Sequence, residues 1–323
     1  MQGMGRSGAQ YGSSEVLLFD PTPGHRATTR AALGMVGFKR ITATSDVDEA
    51  VQCLTQRAFD VLIADLTGCE QRVCKLVRDV RHGDRGPNPF VVVLLTAWSL
   101  REAEAEMTLN SGADDVLIRP YSVTFLAERV RALVESRKSF VVTNGYIGPD
   151  RRKAGERSGG DVTLLEAPNT LRAKARPAER GAPDVMELVR EAHSKLGDLR
   201  LKMTTLQMRL LTHFALRAAA DGGAIDNYLA PMSAVAEVLA DRLTASADNE
   251  AAASAVLLAK TVGSLGRGEG VMESLANLSE YASTLHAQMN ADRSMSEREE
   301  EFMRAVKRLS TREASFGRQS AAE

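Results

Sequence analysis

Four polar residues stand where an open α/β sheet would present its chemistry. Asp65 ends the apolar run Phe59-Asp60-Val61-Leu62-Ile63-Ala64, and Asp20 follows Val16-Leu17-Leu18-Phe19. Thr96 follows Phe90–Leu95, and Arg119 follows Val116-Leu117-Ile118. Each run has the length of a strand buried in a parallel sheet, and ligands meet such sheets at the carboxyl ends of the strands. Carboxylate, hydroxyl and cation together are the parts of a phosphoryl acceptor. Asp65 is the candidate nucleophile, and Asp20, Asp65 and the Thr67 carbonyl are candidate Mg2+ ligands. Thr96 and Arg119 are placed to hold phosphoryl oxygens. The plainer roles of the same residues are turn former and helix cap.

The elements that must position these residues alternate between strand and helix from Glu15 to Arg137. Thr28–Val36 reads as a helix closed by Gly37. Arg40–Ala43 reads as a strand, and Asp46–Arg57 as a helix capped by Ser45 or Asp46. Helices are expected near Glu70–Arg81, Ser99–Ser111 and Ser122–Ser136, with Gly83–Pro89 as a turn-rich break. Five βα units imply a doubly wound five-stranded parallel sheet, because parallel strands need crossover helices.

Residues Glu15 to about Lys153 resemble the response-regulator receiver domain of two-component signalling, a flavodoxin-like fold. The likeness is carried by the ordered strand tips and by two runs, Asn88-Pro89-Phe90 and Tyr146-Ile147-Gly148-Pro149-Asp150-Arg151-Arg152, found in receivers of α-proteobacterial type. It implies Asp65 as phosphoacceptor, a histidine kinase or another signalling protein as partner, and a docking face over the fourth helix, fifth strand and fifth helix, about Ser99 to Ser136. The chain departs from the family pattern at several points. Pro21 stands where a second acid is usual, Arg119 replaces a lysine, Val116 an aromatic residue, and Thr67-Gly68-Cys69 a Met-Pro-Gly turn. A proline has no carboxylate for a metal, and an arginine fork is not a compact ammonium. A degenerate receiver with weakened Mg2+ binding is therefore expected.

From Ser139 to Pro183 the chain is rich in Gly, Pro and Arg without a sustained period, which reads as a flexible basic linker over 139–183. Asp184 with Glu187 then opens a helix. Val189, Ala192, Leu196, Leu199, Met203, Leu206, Leu210 and His213 alternate steps of three and four, the seam of a coiled coil or long bundle helix. Further helices are expected at Pro231–Leu243, Asp248–Leu265, Val271–Met289 and Glu297–Leu309. Residues 184–310 thus read as an all-α bundle, with dimerisation through its long helix. His193, His213 and His286 raise a phosphotransfer or phosphatase-like module acting on a partner receiver, but His213 belongs to the apolar seam. Disordered ends are expected over 1–14 and 311–323.

The composition sets broader bounds. Net charge is −1, which gives no general attraction to nucleic acid, and no basic recognition helix stands out. Apolar runs fall short of the ~20 residues of a membrane span. Three cysteines, Cys53, Cys69 and Cys74, make neither a disulfide framework nor a metal pattern. The reading is a cytoplasmic bacterial regulator working through protein partners, not an enzyme. A nucleic-acid-binding regulator is the remaining alternative.

Overall fold

The computed structural model describes residues 10–152, 163–176, 184–244, 249–266 and 270–319. The chain divides into two compact units, Met1–Gly197 and Asp198–Glu323.

The first unit is built on five parallel strands: β1 (Glu15–Phe19), β2 (Arg40–Thr44), β3 (Val61–Asp65), β4 (Val92–Ala97) and β5 (Asp115–Ile118), in the order β2-β1-β3-β4-β5. Its helices are α1 (Pro23–Val36), α2 (Val47–Gln56), α3 (Glu70–Arg81), α4 (Glu102–Asn110) and α5 (Val123–Glu135). Alternation along the strands splits the core in two. Leu17, Phe19, Leu62, Ala64, Val93 and Leu95 face α2 and α3, while Val16, Leu18, Val61, Ile63, Val92 and Leu94 face α1 and α5. Local signals account for the ends of the elements. Asp46 accepts the Asp48 and Glu49 amides at the start of α2, and Gly37 closes α1 at φ 116°. Helix α1 starts five residues before the expected Thr28, because Pro23 lacks only an N–H that a first turn leaves unpaired anyway.

The stretch expected to be a flexible linker is ordered wherever it is described, and this expectation is corrected. It holds β6 (Phe140–Val142), β7 (Ile147–Pro149), β8 (Thr163–Leu165) and α6 (Thr170–Ala175), with an antiparallel sheet in the order β7-β6-β8. The physical reason is a clamp under the amino ends of the main strands. Phe140 is fully buried between the Arg81 and Arg137 guanidiniums, each 5.0 Å from its ring centroid, with the Phe90 ring 5.9 Å away. Both arginines bond Asp114, and both also donate to backbone carbonyls around Phe90. Burial draws Arg81 down to about 10, so it stays charged at neutral pH.

The close approach of β7 needs two glycines. A Cβ on Gly112 (φ +89°) would lie 2.3 Å from the Ile147 carbonyl oxygen, and one on Gly148 2.7 Å from the Gly112 Cα. The Asn88-Pro89-Phe90 and Gly148–Arg152 runs therefore belong to one floor. Asn88 donates to the Phe59 carbonyl, and Arg151 to that of Ala113. At the near end, Tyr11 is buried and stacks on Phe38 at 5.0 Å, so expected disorder as far as Ser14 is also corrected.

Helix α7 (Val185–Ala220) spans the division between the units. The second unit continues with α8 (Asp226–Thr244), α9 (Asn249–Leu265), α10 (Val271–Met289) and α11 (Met295–Gln319). Helix α11 runs ten residues past the expected Leu309, so part of the tail expected to be disordered is helical. Met208 and Ala215 of α7 share a core with α8, α9 and α10, while Leu206, Leu210 and Phe214 pack with Phe302 and Val306 of α11. The seam that suggested a dimer is therefore covered within the chain along its second half, the plainer of the two roles open to a periodic helix. Among the described residues no helix is long and apolar enough to cross a membrane.

Candidate functional site

The carboxyl ends of β1, β3, β4 and β5 bring Asp20, Asp65, Thr96 and Arg119 into one pocket. Parallel register does this directly, since Asp65 pairs with Thr96 and the Arg119 amide donates to the Ala97 carbonyl at 2.7 Å. The Arg119 side chain, 7% exposed, reaches across the strand tips. Its Nε donates to Asp65 Oδ2 at 3.2 Å and its Nη2 to Asp20 Oδ2 at 2.8 Å. Nη2 also lies 3.1 Å from Thr96 Oγ1 and 3.3 Å from Thr29 Oγ1. The Thr96 hydroxyl donates to Asp65 Oδ2 at 2.7 Å.

The remaining carboxylate oxygens are also engaged. Asp65 Oδ1 accepts the Thr67 N–H at 3.0 Å, and Asp20 Oδ1 accepts the Thr22 N–H at 2.9 Å. Burial pushes the Asp20 carboxyl above its ordinary value, against the Thr22 N–H, and nearby Asp65 pushes the same way while Arg119 opposes it. Charge repulsion between two buried acids is what the guanidinium offsets.

Mg2+ wants several oxygens in octahedral array and gives up water reluctantly. Here the Arg119 guanidinium already stands between the two carboxylates, each of their oxygens accepts a hydrogen bond, and Pro21 adds no second acid. Among the described residues no group of three or more His, Cys, Asp or Glu side chains could hold a metal ion. The residues present do not fit the cation.

Several members of the site carried no sequence signal. Thr29 and Arg26 lie on α1, and Arg26 donates to the Asp20 carbonyl at 2.6 Å. Beside Arg119 opens a largely apolar cavity of about 400 Å3, lined by His25, Thr29, Met35, Trp98 and Tyr121 among others. The His25 and Trp98 rings lie 5.3 Å apart, and the Arg119 guanidinium carbon lies 5.7 Å from the Tyr121 ring centroid. Cys69 sits in the Asp65 loop, where burial raises its thiol to about 11, so it is no thiolate at neutral pH.

Three histidines of the helices stand apart from this pocket. His193 lies against Gly83, and His213 meets Phe214 and Phe302 edge-on. His286 is buried, its Nδ1 near Thr205 and Asn290 and its Nε2 without a hydrogen-bond partner among the described residues.

No family model matches the chain. Among curated proteins it is 24% identical over 158 residues to the Regulatory protein VirG of Rhizobium radiobacter, covering 46% of this chain and 57% of VirG. The Probable chemotaxis protein CheY of Rhizobium etli is 26% identical over 124 residues, 38% of this chain and 90% of that protein. The first half of the chain is a response-regulator receiver domain. The receiver match to VirG spans little more than half of that protein. The Transcriptional regulatory protein AfsQ1 of Streptomyces coelicolor matches at 28% over 197 residues, 58% of this chain. A solved signal receiver domain from Clostridium thermocellum covers 38% of this chain at 18% identity, with a TM-score of 0.35. A receiver domain of a Pseudomonas aeruginosa sensor histidine kinase, described with magnesium in its active-site cleft, matches at 22% identity and a TM-score of 0.33.

Proposed function

We propose that this chain is a signalling regulator whose receiver acts by binding a protein partner, with α4, β5 and α5 as its output face. One observation carries the reading: β5 joins the pocket to an exposed apolar surface. Leu117 is buried, Ile118 is 47% exposed, and the next residue is Arg119, which grips both acids. A shift of Arg119 thus moves an edge strand whose neighbours, α4 and α5, expose Leu109 and Phe125. Exposed apolar side chains gathered on adjacent elements are characteristic of docking surfaces.

In this reading a histidine kinase or another signalling protein supplies the input by binding the receiver, whose strand-tip pocket holds Asp65, Thr96 and Arg119 together. The helical unit presents a second contact surface rather than a catalytic site. The test is affinity capture with the full chain and with Ile118→Asp and Phe125→Asp. A partner retained by wild type and lost from both variants, at unchanged melting temperature, supports the reading. Capture indifferent to both substitutions refutes this face.

The name of AfsQ1, a transcriptional regulatory protein, favours a second reading, a regulator of transcription whose helical unit contacts DNA. Binding that weakens steeply with salt would be its signature.

A further inference from the structure

We propose that Arg119 is the resident cation of the receiver pocket, standing in for a divalent metal, so that the wild-type protein binds no Mg2+ there and takes no phosphoryl group. The proposal rests on the receiver reading and adds to it how the pocket is held.

The donor set points this way on three counts. First, a single guanidinium bridges the two acids from the inside, Nε on Asp65 and Nη2 on Asp20, with Thr96 and Thr29 as further acceptors. A planar fork spans two carboxylates through two separate nitrogens in fixed geometry, which a single ammonium nitrogen cannot do. Second, each of the four carboxylate oxygens already accepts a hydrogen bond, two of them from the backbone of the Thr22 and Thr67 turns. A metal seated between the acids would have to displace the guanidinium. Third, the side chain is nearly buried, with the Tyr121 ring beside its guanidinium.

A dication seated between the acids would also lie within a few Å of a fixed positive charge, with no second carboxylate at Pro21 to balance it. Metal and guanidinium are therefore competitors for one place. A phosphoryl transfer to Asp65 would meet the same obstacle, since the incoming oxygens need that cation. The receiver then has two states, arginine in and arginine out, and whatever opens it must offer Arg119 another anion.

The experiment uses the full chain and Trp98, its single tryptophan, which lines the cavity beside Arg119. Mg2+ is titrated to millimolar levels and followed by calorimetry and Trp98 fluorescence, with acetyl phosphate labelling in parallel. Wild type is expected to show no saturable binding and no label. Arg119→Gln frees both acids and should bind Mg2+ at least about tenfold more tightly than wild type. Arg119→Lys, whose single ammonium nitrogen cannot reproduce the two-nitrogen bridge, should gain affinity too, and it serves if the glutamine variant fails to fold. Near-ultraviolet circular dichroism checks that each variant is native. Saturable Mg2+ binding by wild type that disappears in Asp20→Asn overturns the proposal, as does a folded Arg119 variant that gains nothing. Either result leaves the receiver reading standing, because that reading falls only with the Ile118 and Phe125 captures.

Discussion

Replacing Asp114 by alanine should cost the receiver about 4 kcal/mol of stability. Its carboxylate is buried and accepts from Arg81 at 2.8 Å, from Arg137 at 2.8 and 3.0 Å, and from the Val93 amide at 2.8 Å. Removing one partner of a buried ion pair costs about 3–5 kcal/mol, because the other charge is left uncompensated. Here two guanidiniums are left, and an orphaned buried N–H adds about 1–3 kcal/mol. The losses share one relaxed site and do not simply add, so about 4 kcal/mol is the expectation, against a total of roughly 5–15 kcal/mol for a domain. The assay is urea unfolding followed by Trp98, which reports on the receiver rather than on the helices. With an m-value of roughly 2 kcal/mol per M, the midpoint should fall by about 2 M. Asp114→Asn keeps an acceptor for Val93 but loses the charge, and should fall between. An alanine midpoint within about 0.3 M of wild type would refute the clamp as the reason residues 139–152 and 163–176 are ordered. The pH dependence has a fixed sign. Burial alone would raise the Asp114 carboxyl, but Arg137 and Arg81 outweigh it and hold the group below the ordinary carboxylate range. A depressed acid contributes its stability above the unfolded value of roughly 4 and loses it as pH falls through the lower folded value. The acid limb of the receiver should therefore lie below about pH 4 in wild type and be absent in Asp114→Ala.

Three further outcomes are expected. His286 is pushed down to about 4 chiefly by burial, with Arg209 and Arg298 adding to it. The unfolded chain takes up a proton near pH 6.5 that the folded helices refuse, so stability should fall by about 3 kcal/mol between roughly pH 6.5 and 4 and then level off. Unfolding followed at 222 nm checks this, and His286→Gln should flatten the curve. Gly112→Ala meets both a left-handed backbone and the Ile147 carbonyl, and should lower stability by more than about 1 kcal/mol in the same urea assay. Ile118→Asp and Phe125→Asp lie on exposed positions and should shift stability by no more than about 0.5 kcal/mol while removing partner binding, as melting and capture together would show.

The sequence by itself determined the sheet and its tips. Continuous apolar runs, Asp46 as a cap and Gly37 as a stop are local signals, and parallel topology then places Asp20, Asp65, Thr96 and Arg119 at one end whatever lies between them. The extent of α9 and α10 was legible for the same reason, since long helices carry their period in the chain itself. Other features were decided only by the tertiary structure. Strands of three residues are too short to show a period, so the order of Phe140–Val142 depends on Arg81, Arg137 and Asp114, which come from distant parts of the chain. The seam of α7 looked free to dimerise, yet which partner covers Leu206 and Leu210 is set by where Phe302 and Val306 arrive. Arg119 could be read as a cation near the acids. That it lies between them, bonding one oxygen of each acid, follows from side-chain reach across the strand tips, which no spacing along the chain encodes.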